Sequence, residues 1–170
     1  MFVSVGLVNG QTGTWKEFSS ADGGFKVLLP GTPTDVTTPN SPSDGMRVNE
    51  YELRSDYVGY KLGFSKAPIS PKADDAVVMK DFWDKYVVDM EKNEGVKVLS
   101  QGDFQVGGVL GREVTMDNGE LILVNRYIVK NYYFYILITM TYKENHKVPS
   151  VERARREYLD SFAFLTSTPK

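Results

Sequence analysis

Two short polar reversals divide the stretch from Val109 to Tyr142 into three runs of strand-forming residues, and no other feature of the sequence restricts the fold as tightly. The first reversal is Asp117-Asn118-Gly119 and the second is Asn131-Tyr132. Asn-Gly is the strongest short hairpin signal, because the tightest turns need positive φ at their central positions. Taking Asn131-Tyr132 as a two-residue loop pairs Leu121, Leu123, Asn125, Tyr127 and Val129 with Tyr142, Met140, Ile138, Ile136 and Phe134. That face is almost wholly apolar. The opposite face sets Ile122, Val124, Arg126 and Ile128 against Thr141, Thr139, Leu137 and Tyr135, and its mixed character predicts partial cover by a helix or loop. Through Asn118-Gly119 the same reasoning pairs Met116 with Leu121, Val114 with Leu123, Arg112 with Asn125 and Leu110 with Tyr127.

Proline placement delimits the ordered region. Pro30, Pro33, Pro39 and Pro42 crowd one segment and Pro68 and Pro71 another, while none falls between Pro71 and Pro149. Proline fixes φ and removes a donor, so regular structure is expected to concentrate in that interval. Pro30 to Gly45 reads as a loop, and Phe25 to Leu29 as a short strand after the turn Asp22-Gly23-Gly24. Met46 to Arg54 and Tyr57 to Lys66 read as a hairpin around Ser55-Asp56, and Val96 to Val106 as a strand leading through Gly107-Gly108 into the next.

From Ala73 to Asn93 the period changes. Val78, Phe82, Tyr86 and Met90 recur every four residues, flanked by Met79, Trp83 and Val87, the stripe of an amphipathic helix. Asp74 and Asp75 fall in its first turn, where the helix dipole favours negative charge, and Gly95 is a natural stop. Lys80/Asp84, Asp81/Lys85 and Lys85/Asp89 support its polar face. A last helix is expected from Ser150, an N-cap candidate after Pro149, to Phe162. The fold class is α+β: an antiparallel β-sheet of about six to seven strands flanked by helices. Residues 15–165 form one domain between an N-terminal segment, 1–14, and a tail, 166–170. The apolar, uncharged start reads as a signal remnant, a tag or an edge strand.

Composition removes many activities. With 20 Lys+Arg against 22 Asp+Glu the net charge is -2, which argues against nucleic acid as a partner. The chain has no cysteine and a single histidine, so thiolate nucleophiles, disulfides, Cys-ligated zinc and multi-His metal sites are excluded. No run approaches the ~18 uncharged apolar residues of a membrane span. There is no G-x-S-x-G elbow, phosphate loop or EF-hand spacing, and the acidic residues are scattered. No catalytic residue, metal site or cofactor is nominated.

Binding residues can be nominated. Arg112 and Asn125 meet on the apolar face, and a buried guanidinium without a partner is very costly. One reading makes Arg112, Asn125 and Tyr127 a small ligand-binding pocket. The plainer one lets Arg112 run along the sheet to water on its aliphatic stem. Glu113 lies diagonally from Arg126, a cross-strand ion pair of structural value only. Arg153, Arg155 and Arg156 are candidates for a partner-binding patch, although Glu152, Glu157 and Asp160 interleave as on ordinary solvated surface. His146, in a polar connection, reads as solvated.

The run Phe18-Ser19-Ser20-Ala21-Asp22-Gly23-Gly24-Phe25-Lys26-Val27-Leu28-Leu29-Pro30-Gly31-Thr32-Pro33 resembles the opening of small bacterial members of the PsbP-like superfamily. Gly111-Arg112-Glu113-Val114, then Asn125-Arg126-Tyr127-Ile128-Val129 with Tyr133 to Ile138, is similar to its central hairpins. Tyr158-Leu159-Asp160-Ser161-Phe162-Ala163-Phe164 resembles its closing segment. The resemblance spans Trp15 to about Leu165 and implies an α/β/α sandwich, usually non-enzymatic and often exported or lipid-anchored. The superfamily includes the extrinsic photosystem II protein and a Ran-GTPase-binding protein, but no residue here matches either docking surface. The lipobox cysteine of an anchored member is missing from this sequence. The expectation is a non-enzymatic binding or accessory module, exported to the periplasm or envelope and monomeric. It would present a loop, a sheet edge or a small pocket to a protein or small ligand. An envelope hydrolase using scattered carboxylates, or a structural domain of a larger assembly, is the alternative.

Overall fold

In a computed structural model, which describes residues 14–38, 48–66 and 76–166 (side chains at 76–78, 93 and 94 excepted), the chain builds two antiparallel sheets and two helices. The strands are β1 (Lys16–Ser20), β2 (Phe25–Leu29), β3 (Thr34–Asp35), β4 (Val48–Arg54), β5 (Gly59–Lys66), β6 (Lys97–Val106), β7 (Val109–Asp117), β8 (Leu121–Lys130), β9 (Tyr133–Tyr142) and β10 (Ala163–Phe164). The helices are α1 (Ala76–Glu94) and α2 (Pro149–Asp160). Seven strands form the main sheet in the order β3-β4-β5-β9-β8-β7-β6, and β1-β2-β10 form a second, smaller one. The fold is α+β as expected. The three-stranded sheet adds a layer that the sequence reading did not separate.

The β8–β9 register is the one expected, from Leu121 opposite Tyr142 to Lys130 opposite Tyr133. Asn131 and Tyr132 both take positive φ, 49° and 65°. The β6–β7 hairpin turns at Gly107-Gly108 as expected, both glycines at positive φ, whereas β7–β8 and β4–β5 differ from expectation in the same way. β7 pairs with β8 as Met116 with Leu123, Val114 with Asn125 and Arg112 with Tyr127, two residues away from the expected register. The loop is Gly119-Glu120, and Asn118 occupies the corner before it, where its Oδ1 accepts the Leu121 N–H at 2.8 Å. In the β4–β5 hairpin the loop is Asp56-Tyr57 rather than Ser55-Asp56, closed by the Ser55 N–H donating to the Val58 carbonyl at 3.0 Å. Ser55 Oγ accepts the Val58 N–H at 3.2 Å. Asn and Ser favour the first corner of a turn because their side chains bond backbone further on.

A slip of two residues keeps every side chain on its face, so both cores survive it. On one face, Val114, Met116, Tyr127 and Val129 pack under Met79, Trp83, Val87 and Met90 of α1. The most buried line of α1 is therefore Met79-Trp83-Val87, with Phe82 and Tyr86 half-buried beside it. Asp74 and Asp75 lie outside the described residues, as do 39–45 of the expected loop and nearly all of 1–14. Gly95 has φ of +64° just past the helix, the left-handed stop. On the other face lies the larger core. Val124, Ile128, Tyr135 and Leu137 join Val58, Tyr60, Leu62 and Phe64 of the β5 arm under Val151, Tyr158, Leu159 and Phe162 and under Phe25, Val27 and Leu29 of β2. Cover of the mixed face is complete rather than partial.

Helix α2 begins at Pro149, not Ser150; Val148 is its N-cap without a side-chain cap bond. Proline suits the first helical position, where its missing N–H would have had no partner anyway. Ser161 ends the helix and stitches it to the small sheet. Its Oγ donates to the Tyr158 carbonyl at 2.7 Å and accepts the Leu28 N–H at 2.8 Å.

Close packing of the sheet makes a test. A Cβ on Gly111 would lie 2.5 Å from the Phe104 ring and 2.8 Å from the Tyr127 carbonyl oxygen, which is backbone and cannot yield. One on Gly63 would meet the Ile136 Cγ2 methyl at 2.9 Å, with no backbone atom nearer than 3.8 Å. Gly111→Ala is expected to cost about 2–3 kcal/mol in urea unfolding, and Gly63→Ala distinctly less.

Candidate functional site

The three pocket residues nominated from sequence share the face beneath α1, but they are occupied with one another and with their neighbours. Arg112 is 4% exposed and stands opposite Tyr127 on β8 and Asp103 on β6. Its Nη1 donates to Gln101 Oε1 at 2.8 Å. Nη2 lies 2.8 Å from Asp84 Oδ1 and Nε 2.8 Å from Asp103 Oδ1, close enough for ion pairs although the N–H groups do not point squarely at those oxygens. The guanidinium is therefore closed off from water by its partners, and it lines none of the cavities described below. Two partly solvated carboxylates reach inward to it. Asp84 thereby serves the sheet instead of Lys80 on its own helix, and the cluster ties α1 to β6 and β7.

Asn125 stands opposite Val114, not Arg112. Its Nδ2 donates to the Tyr127 hydroxyl at 2.7 Å, and that hydroxyl donates to Met90 Sδ at 3.2 Å. Asn125 Oδ1, also buried, finds no donor among the described residues.

The basic residues of α2 separate. Arg155 is buried, its Nη1 2.8 Å from His146 Nδ1. Burial, then the Arg155 cation, holds the His146 pKa below the usual value, so the neutral ring accepts from Arg155 through Nδ1. His146 is thus half-buried and engaged rather than solvated. Arg153 is exposed, and so is Arg156, which grips Glu113 with Nη1 and Nη2 at 2.8 and 2.9 Å. The three arginines do not form one surface.

A cleft forms on the α2 side instead. Arg126 faces Glu113 directly on β7, not diagonally, and donates from Nε to Glu113 Oε2 at 2.7 Å. Its Nη1 donates to the Leu159 carbonyl at 2.7 Å and its Nη2 to Asp160 Oδ1 at 2.6 Å. The Phe104 ring covers it, 4.6 Å from Cζ to centroid, a cation–π contact. Two cavities flank this pair. One, about 310 Å³, is the more apolar, lined by Val106, Ile128, Leu137, Leu159 and Phe162 together with Arg126 and Asp160. The other, about 360 Å³, is polar, lined by Ser100, Asp103, Glu113, Thr115 and Arg156. Gly102 opens the second: a Cβ there would have nothing within 4 Å. Sequence reading passed over Phe104 and Gly102. An isolated glycine inside a strand was the available signal, since it marks a bulge or a place where something approaches closely.

Among the described residues, no three His, Asp or Glu side chains converge as metal ligands, and no helix is long and apolar enough to cross a membrane. No established family model matches the sequence, and no curated protein matches it. Among solved structures it is similar to cyanobacterial PsbP (CyanoP) from Synechocystis sp. PCC 6803, with a TM-score of 0.64 over 96% of this chain and 97% of that one, at 12% identity. The chain therefore has a PsbP-like fold, and at that identity the fold is what the two share. A protein of unknown function from Pseudomonas aeruginosa, PA94, aligns at 14% identity and a TM-score of 0.49 over 92% of this chain and 99% of that one.

Two predictions follow from the ion pairs. Arg112→Met removes a buried cation and leaves carboxylates that water can hydrate, so it should cost under about 1 kcal/mol. Asp84→Ala with Asp103→Ala strands the cation and should cost about 2–3 kcal/mol, read from urea midpoints. The reverse order would mean that the guanidinium is hydrated. For Glu113, burial works against the charged form, but the hydrogen bonds from Arg156 and Arg126 outweigh it and hold the carboxyl below its ordinary 4.5. A lowered folded-state pKa gives stability that is present above about pH 4.5 and drains as pH falls through the folded value. Glu113→Gln should flatten the stability curve in that acid window and leave its shape above pH 6 unchanged.

Proposed function

We propose that this protein is a non-catalytic binding module that holds an extended segment of a partner protein in the cleft between β6 and α2. The supporting observation is the pair of adjoining cavities, one apolar and one polar, on either side of Phe104 and Arg126 along the edge strand of the sheet. Alternate side chains of an extended segment could enter the two, and edge strands accept such segments through their free backbone groups. The start of the edge is closed, because the Val98 N–H donates to Glu91 Oε1 of α1 at 3.0 Å. Docking would therefore use residues 100–106, beside the cleft.

Engagement of the nearby carboxylates favours binding over hydrolysis. Asp103, Glu113 and Asp160 each face an arginine within 2.9 Å, so all three are engaged by the protein's own cations. Export to the periplasm or envelope is part of the proposal, resting on the PsbP-like resemblance; fractionation of cells expressing the natural gene would test it. For the cleft, titration of the labelled protein with a panel of short extended peptides should shift amide signals at 100–106, 126 and 159–162. Gly102→Trp should plug the polar cavity and abolish those shifts while the fold persists. Peptide-induced shifts confined to other surfaces would remove the reading.

A further inference from the structure

The opposite side of the molecule carries a second concavity, independent of the β6–α2 cleft. It lies where the β4–β5 turn approaches the end of β9, has a volume of about 360 Å³, and its lining includes Arg54, Asp56, Tyr57, Leu121, Met140 and Tyr142. Tyr57 and Tyr142 are 39% and 50% exposed, among the most exposed large apolar side chains described. Two such rings at one hollow, over half-buried Leu121 and Met140, are more than scattered surface hydrophobicity.

Both tyrosines stand on backbone that is held in place. The tip bearing Asp56 and Tyr57 is closed by the Ser55 N–H donating to the Val58 carbonyl at 3.0 Å, by Ser55 Oγ donating to the same carbonyl at 2.7 Å, and by the Val58 N–H donating back to Ser55 Oγ. Across the hollow, Thr141 Oγ1 donates to the Tyr142 carbonyl at 3.1 Å, and Lys143 is anchored to Asp117 at 2.9 Å. Gly59 keeps the floor low: a Cβ there would come 3.2 Å from Met140 Cε. Rings presented on locked backbone lose little freedom on binding, which is what preorganised sites exploit.

The polar groups indicate what would enter. Arg54 and Asp56 are exposed and take no ion pair among the described residues, while the neighbouring Asp117 and Lys143 neutralise each other. One unpaired cation and one unpaired anion leave the rim without net charge. An anionic ligand would meet Asp56, and a purely aliphatic one would leave both charges facing hydrocarbon. A neutral ligand with an apolar face and adjacent hydroxyls suits all four groups: its C–H face stacks on a tyrosine, the guanidinium donates to hydroxyl oxygens, and the carboxylate accepts from hydroxyls. The volume lies within the roughly 300–1,000 Å³ of small-ligand sites. We infer that the hollow between Tyr57 and Tyr142 binds a neutral saccharide, stacked on the tyrosines and oriented by Arg54 and Asp56.

The test uses the whole chain and four probes: glucose, N-acetylglucosamine, cellobiose and chitobiose. At least one should show saturation transfer from the protein and shift amide signals at 54–59, 121 and 140–142. Tyr57→Ala and Tyr142→Ala should each weaken that binding about tenfold, and Arg54→Met should weaken it as well. These side chains are exposed and take no part in the bonds that hold the turn, so an unchanged amide spectrum elsewhere will confirm that the variants fold. Four outcomes would overturn the inference: no transfer to any of the sugars at tens of millimolar, binding unaffected by both tyrosine variants, shifts at other residues only, or octanoate binding at the same residues in place of the sugars.

Discussion

Strand β8 is covered on both faces, and the polar groups it carries into the interior must be satisfied there. A strand in such a position cannot hand a charge to water, and an uncompensated buried cation is worth several kcal/mol of instability. Arg126 answers on one side with Glu113, the Leu159 carbonyl and Asp160. On the other, Arg112 answers from the neighbouring strand with Gln101, Asp84 and Asp103. Hydrophobic burial is non-directional and cannot choose where along the sheet a helix comes to rest. A guanidinium with fixed donor directions can. Each arginine reaches a different helix, so the placement of α1 and α2 depends on charges that originate in the sheet.

That arrangement leaves the two hollows proposed above as binding surfaces on opposite faces of the main sheet. In the β6–α2 cleft Gly102 lines the polar cavity without placing a side chain in it, and the polar wall is a set of ion pairs already closed among themselves. The hollow at Tyr57 and Tyr142 is built differently, from exposed rings and unpaired charges over a low apolar floor. The first suits a chain segment that uses shape and backbone. The second suits a small polar ring.

The turns explain how much of the fold could be read from residues alone. Asn131-Tyr132 was legible, because two consecutive residues at positive φ between alternating runs leave one register. Asn118 and Ser55 misled by one position each. Their side chains accept backbone N–H groups from the first corner, which moves the loop one residue on and the pairing by two. The face assignments survived, since the side-chain period of a strand is two. The candidate site fared in the same way. Arg112, Asn125 and Tyr127 do share a face, and the Gly107-Gly108 turn sets Asp103 opposite Arg112, yet Asp84 and Met90 come from α1, whose placement no local pattern specifies. Arg155 was indistinguishable from its neighbours in a basic run, and only packing of α2 sent it inward to His146.

Local chemistry alone determined the type and period of the longer elements, the burial of one face of the central hairpin with partial cover of the other, and the exclusion of cysteine or multi-histidine chemistry. Those properties depend on backbone dihedral preferences and on residues a few positions apart. Tertiary structure decided which charges close on which, that the mixed face would carry the larger core, and where surface was left hollow. Such outcomes depend on groups far apart in the chain, brought together only when the helices and the small sheet come down on the seven strands.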